Sequence, residues 1–168
     1  ALSLVGSEMC IRDRPNTPPN NWLSVFGGSS WKWHDERNQF YLHNFLTSQP
    51  DLNFHNEEVQ QQMLDEIEYW LKFGVDGFRF DVINFLYHDS ALRDNPAKDP
   101  KLVRPLGFNK DNPYGLQIHK YDNTQPETLE YLSRIRKVLD KYDAISVGEI
   151  VSEDPLDCLL YTSPSPRD

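Results

Sequence analysis

Cysteine is almost absent from this 168-residue chain: Cys10 and Cys158 are the two, one near each end. Without further cysteines there is no disulfide framework to read and no thiol site in the middle of the chain. Long apolar runs are missing as well, and nothing approaches the roughly 20 residues that span a bilayer. Basic residues are in the minority, 17 Lys and Arg against 26 Asp and Glu, for a net charge of −9. Such a balance, with no basic run, argues against nucleic acid and anionic membranes as partners. Gly27-Gly28 is followed by neither Lys-Ser/Thr nor a helix, so no phosphate loop is expected. The five histidines, His34, His43, His55, His88 and His119, show no close ligand pairing, so no metal site is expected either. What the chain does have is 38% apolar and 12% aromatic residues, enough for a packed core in one modest domain.

The two ends read as foreign. One DNA string, read on its opposite strands, encodes both Val5–Asp13 and Cys158–Asp168, and it resembles a sequencing adapter translated by mistake. Residues 1–14 and 158–168 are therefore set aside from fold reasoning as non-native, and both cysteines go with them. The apolar stretch from Ser3 to Ile11 is not read as a signal peptide. The natural N-terminus is expected to lie outside the chain, which leaves the cell compartment open.

Between these ends, 15–53 is aromatic and turn-rich (Trp22, Phe26, Gly27-Gly28, Trp31, Trp33, Phe40, Tyr41), which predicts short strands and irregular structure. The tryptophans are expected in a core; stacking on sugar rings is the alternative. Asn56 to Phe73 predicts a helix, with Asn56 as N-cap, Glu57 and Glu58 at the positive end of the dipole, and Gly74 just past the C-terminus. Its expected apolar stripe is Val59, Met63, Ile67, Trp70 and Leu71, with Asp65, Glu66 and Glu68 on the solvated side. Val75 to Val82 reads as a strand, with Phe78 and Phe80 on one side and Gly77, Arg79 and Asp81 on the other. A long loop follows from Ile83 to Asn123, with Asp94, Lys98, Asp99 and Lys101 expected at its surface. Thr124 to Glu127 then opens a second helix whose buried face should be Leu129, Leu132, Ile135 and Leu139. Ala144 to Ile150 is a second strand. Helix, strand, loop, helix, strand is the order of parallel α/β structure, and two such strands alone cannot bury both faces.

Arg79 and Asp81 share a strand face that is expected to be buried, where charge must be paired. They read as a structural ion pair, or as a nucleophile kept ionised by its neighbour. Glu149 ends the next strand in the same way. Neighbouring strands lie about 4.8 Å apart. Carboxylates at matching strand ends can thus face each other across roughly 5 Å, the spacing of a retaining glycosidase. That chemistry wants a low pKa on Asp81 and a raised one on Glu149.

Gly77-Phe78-Arg79-Phe80-Asp81 and Val147-Gly148-Glu149 resemble two conserved motifs of the α-amylase family of glycoside hydrolases. Gln49-Pro50-Asp51-Leu52-Asn53 resembles a third, in the form found in its α-glucosidase and oligo-1,6-glucosidase branch. Pro18 to Trp22, Tyr41 to Phe45 and Arg104 to Phe108 are similar to the same branch. The resemblance implies a partial (β/α)8 TIM barrel, about helix 3 to strand 5 (54–157), preceded by most of the small domain inserted after strand 3 (15–53). It implies Asp81 as nucleophile, Glu149 as general acid and base, and Arg79 as the residue that orients the nucleophile. Phe45 and Gln49 would line the sugar site. Val82, next to the nucleophile, hints at α-1,6 linkages, although a β-branched residue is also ordinary in a strand.

The implied reaction is release of terminal α-linked glucose from short oligosaccharides, with no cofactor, though calcium is compatible with the full-length parent. The cytoplasm of a bacterium is the favoured compartment. Transglycosylation, of the sucrose or trehalose isomerase type, and a non-catalytic scaffold are the alternatives. Two further family motifs, one carrying an Asp and a His and one reading Asn-His-Asp, are not in the chain. The 168 residues by themselves are therefore expected to be inactive.

Overall fold

A computed structural model describes residues 10–11, 17–99, 101, 112–152 and 156; Arg104 to Phe108 lies outside them. The residues divide into two units, one formed by 1–53 with 88–123, the other by 54–87 with 124–168. One change between the units falls after Asn53. His88 to Asn123, placed with the barrel portion from sequence, clusters instead with the first unit.

In the first unit, β1 (Cys10–Ile11), β2 (Trp31–His34) and β3 (Gln39–Leu42) make an antiparallel sheet in the order β1-β3-β2. The strand β1 falls in the segment that the sequence reading sets aside as non-native. The core beneath the sheet is Trp22, Trp31, Phe40 and Leu42, with Trp33, Leu92 and Tyr121 against it. Trp22 and Trp31 stack 6.1 Å apart, so these tryptophans are core, as expected. Their ring N–H groups are satisfied: Trp22 donates to the Arg93 carbonyl (2.8 Å) and Trp31 to the Asn20 side chain (2.7 Å), as buried indoles require. Asn21 and Asn95 exchange side-chain and backbone bonds, which fastens the long loop to the start of the chain. That loop is not without structure. It carries 3-10 turns at Ile83–Phe85 and Pro113–Leu116 and a bridge between Ala97 and Gln117.

In the second unit, α1 (Glu57–Phe73) has the expected caps. The Asn56 side chain accepts from the Glu58 N–H (2.9 Å), and Gly74 takes φ 105°, a conformation that suits glycine. The buried face differs from the expected stripe. Val59, Leu64, Ile67 and Leu71 are buried, while Trp70 is 46% exposed beside Tyr69 and Phe73. Around the helix Met63 and Trp70 lie between Val59 and Ile67, so periodicity alone does not set Trp70 apart from the buried residues. In α2 (Glu127–Asp140) the buried residues are Thr128, Tyr131, Ile135 and Leu139. Leu129 is exposed because it stands about 100° round from Thr128. The helices meet through the Tyr131 hydroxyl on the Gln60 carbonyl (3.1 Å) and the Arg134–Glu57 ion pair (2.8 Å).

The strands β4 (Gly77–Phe80) and β5 (Ile145–Gly148) are parallel, in a register that runs from Gly77 opposite Ile145 to Phe80 opposite Gly148. Both are shorter than the sequence suggests. Among the described residues they form a two-stranded sheet, and β5 is exposed along its whole length. The expectation that Arg79 and Asp81 lie on a buried face is corrected accordingly: their side chains are 61% and 69% exposed. No helix among the described residues is long and apolar enough to cross a membrane.

A Cβ on Gly77 would run into the backbone carbonyl of Ile145, so glycine lets the two strands pair at this point. Gly77→Ala in the full-length protein should lower its stability by about 1–3 kcal/mol. Denaturant unfolding reads this, and an unchanged midpoint would count against so close an approach.

Candidate active site

The register of the parallel pair continues past the last residues of both strands. The Glu149 N–H donates to the Phe80 carbonyl (2.8 Å), and the Ile83 N–H donates to the Glu149 carbonyl (3.0 Å). Asp81 and Glu149 therefore occupy matching places just beyond two adjacent strand ends. Alternation along β4 keeps Phe78 and Phe80 on one side, 5.8 Å apart, and sends Arg79 to the other. From there Arg79 Nη2 donates to Asp81 Oδ1 (3.0 Å) and also to Glu149 Oε2. One guanidinium thus holds two carboxylates, and both face it as acceptors.

Val82 is not part of a strand. It has φ 39° and ψ 50° and caps the 3-10 turn Ile83–Phe85. A β-branched residue rarely adopts that conformation. The sharp turn it makes carries the chain away immediately after Asp81. The strand explanation for a valine at this position is thereby replaced: Val82 stands in a strained turn.

The structure brings Asp81, Arg79, Glu149 and Val82 into one neighbourhood of the second unit. Phe45 and Gln49 belong to the first unit. Phe45 packs edge-on against Phe26 at 5.8 Å. Gln49 accepts from the Leu46 N–H through its side chain (3.3 Å) and donates its own N–H to the Leu46 carbonyl (2.8 Å). Among the described residues, no group of three or more His, Cys, Asp or Glu side chains is disposed to hold a metal ion.

A sequence profile of the alpha-amylase catalytic domain matches residues 8–168. The chain is 56% identical to the probable alpha-glucosidase of Rhizobium meliloti (strain 1021) over 135 residues, which is 80% of this chain and 24% of that protein. It is 38% identical to the oligo-1,6-glucosidase of Parageobacillus thermoglucosidasius over 151 residues, 89% of this chain and 25% of that protein. The crystal structure of an alpha-glucosyl transfer enzyme, XgtA, superposes with a TM-score of 0.87 at 55% identity, over 93% of this chain and 30% of that one. The chain therefore spans about a quarter of the length of the curated relatives it matches, and its fold is part of a (β/α)8 barrel.

Two residues important to the architecture are not singled out by the sequence reading. Asn84, in the turn after Asp81, is one. Asp51 is quoted within a motif but given no role. Its Oδ2 accepts from the Asn44 N–H (2.7 Å) and from the Asn44 side-chain amide (2.9 Å), and its own N–H donates to the Leu42 carbonyl (3.0 Å). It closes the loop that carries Phe45 and Gln49. Burial pushes the Asp51 carboxyl up to about 7, against the pull of both bonds from Asn44. A raised folded-state value means that protonation favours the fold. Stability from this source is full below the ordinary carboxyl range near 4 and is lost as pH rises through about 7. Asp51→Asn keeps an acceptor but no charge. It should match the wild-type full-length protein at pH 4 and exceed it in stability at pH 8. Parallel stability curves for the two proteins would contradict this.

Proposed function

Because this chain belongs to the alpha-amylase catalytic-domain family of glycoside hydrolases, we propose that the full-length protein is a retaining α-glucosidase. It releases terminal α-linked glucose from short oligosaccharides. The observation that carries this reading is the β4–β5 register, which sets Asp81 and Glu149 at matching strand ends with Arg79 bonded to both. We assign the segment to about helix 3 through strand 5 of the barrel, preceded by most of the small inserted domain.

In the reaction, a carboxylate lone pair of Asp81 forms a bond to the anomeric carbon as the bond to the leaving oxygen breaks. Glu149 gives its proton to that oxygen. Glu149 then takes a proton from water, the water oxygen attacks the anomeric carbon, and Asp81 is released, so configuration is retained. Arg79 orients Asp81 and balances its charge. For the first step Glu149 must carry a proton. Phe45, Gln49 and Val82 are assigned to the sugar site by their match to family positions. The partner is a small oligosaccharide; no cofactor enters the chemistry.

Glucosyl transfer to a second sugar is the other reading, favoured by the similarity to the glucosyl transfer enzyme. It uses the same carboxylates with a sugar hydroxyl in place of water. Incubation of the full-length protein with maltose, isomaltose and sucrose separates the two: hydrolysis gives two glucose for each maltose or isomaltose consumed and equal glucose and fructose from sucrose, whereas transfer gives less free glucose than this, together with new or isomerised oligosaccharides. Asp81→Asn and Glu149→Gln should each reduce turnover of natural substrates by at least about 1,000-fold. Retention of activity in either variant would remove the assignment.

The 168-residue chain alone should turn over none of these sugars. Its carboxylates stand open to water, and electrostatic stabilisation of a developing charge depends on a site that excludes water. Measured hydrolysis by this chain would refute that.

A further inference from the structure

Asn84 is wholly buried, at 0% exposure, and so cannot touch a substrate. It lies three residues after Asp81, inside the turn Ile83–Phe85. Its Nδ2 donates to the Val151 carbonyl (3.0 Å) and to Thr124 Oγ1 (3.1 Å), and its Oδ1 accepts from the Val151 N–H (3.3 Å). Its own carbonyl accepts from the Thr124 N–H (2.7 Å). Val151 is two residues beyond Glu149. A side-chain amide here does what a neighbouring strand does: it takes one residue's N–H and fills the same residue's carbonyl.

Regular pairing of β5 stops at Gly148. Ahead of Glu149 the chain is held by its N–H on Phe80, and at Glu149 itself by Ile83 on its carbonyl. Beyond it, the Asn84 side chain grips Val151. An apolar residue of similar size at position 84 would fill the space but leave the Val151 N–H and carbonyl without these partners. Val151 is half-buried, and the side-chain amide supplies its N–H and carbonyl with bonds that a hydrocarbon cannot replace. Packing alone therefore does not account for an amide at this place. Thr124, which begins the approach to α2, has φ 55° and is held by the same residue.

We propose that Asn84 is a positioning residue that fixes the backbone around Glu149, and with it the direction in which Glu149 delivers its proton to the leaving oxygen. This rests on the reading of Glu149 as general acid given above. It separates the two carboxylates. Asp81 is set by its own strand, Glu149 by its strand and by an amide borrowed from the turn after Asp81.

The test compares two substrates in the full-length protein. Maltose needs a proton on its leaving oxygen, whereas α-glucosyl fluoride expels fluoride without one. The ratio kcat/KM reports steps up to the glycosyl-enzyme. Asn84→Ala should lower kcat/KM for maltose on the order of 100-fold while that for the fluoride falls by less than about threefold, the mark of a misdirected acid. Equal losses on both substrates would reflect less folded enzyme and would overturn the proposal. Asn84→Asp has the same shape, accepts from the Val151 N–H and cannot donate to its carbonyl. It should show an intermediate loss confined to maltose, and it serves where the alanine variant does not fold. If the wild type turns over neither substrate, the α-glucosidase reading is what fails. Amide hydrogen exchange at Val151 then decides the positioning separately: faster exchange in Asn84→Ala supports it, and unchanged exchange overturns it.

Discussion

The in-register pairing of β4 with β5 is the constraint from which the site follows. Parallel strands offer evenly spaced slanted bonds, and here those bonds run on past the last strand residues to the Glu149 N–H and carbonyl. A slip of one residue would send Asp81 or Glu149 to the opposite face of the sheet and break the contact that Arg79 makes with both. Close approach at Gly77, where a Cβ would meet Ile145, and at Gly148, where it would come within 2.8 Å of the Ile83 side chain, marks the register as the one these glycines permit.

The parts legible in the sequence are those governed by local chemistry. Asn56 and Gly74 announce the ends of α1 because a cap bond and a left-handed φ each ask for a particular residue type. The alternation of Phe78, Arg79, Phe80 and Asp81 reads directly as a strand with an acid at its end. The core tryptophans were also legible, since so many aromatics in a turn-rich stretch have to pack on one another. Parts that depend on distant contacts were not. Trp70 looks as apolar as Leu64, yet which of them is buried depends on how α1 lies against α2. Asn84 looks like any loop asparagine; its role requires knowing that Val151, 67 residues on, comes to lie beside it.

Burial of Arg79 and Asp81 was inferred from what parallel sheets usually need. Two strands cannot supply it, and in this segment the ion pairs lie in water. Exposed pairs of this kind contribute little to stability. The triad of Arg79, Asp81 and Glu149 is therefore better understood as geometry imposed by the strands than as an interaction that holds them together. That order of cause agrees with its proposed use. A site that must bind and release charge is better carried on a frame that does not depend on it.

The turn after Asp81 shows the same division of labour. Val82 pays for an unfavourable backbone, φ 39°, of a kind that runs to about 1–3 kcal/mol. The surrounding bonds over-determine it: Ile83 on Glu149, Phe85 on the Val82 carbonyl (2.9 Å), and Asn84 on Val151 and Thr124. Without the turn, β4 would continue and Asp81 would point from the middle of a strand. With it, Asp81 stands at the strand's end beside Arg79, and the residues that follow turn back to hold the other carboxylate's segment. Strain at Val82 and the buried amide at Asn84 are in this view one device, in which the turn that exposes Asp81 also supplies the bonds that fix Glu149.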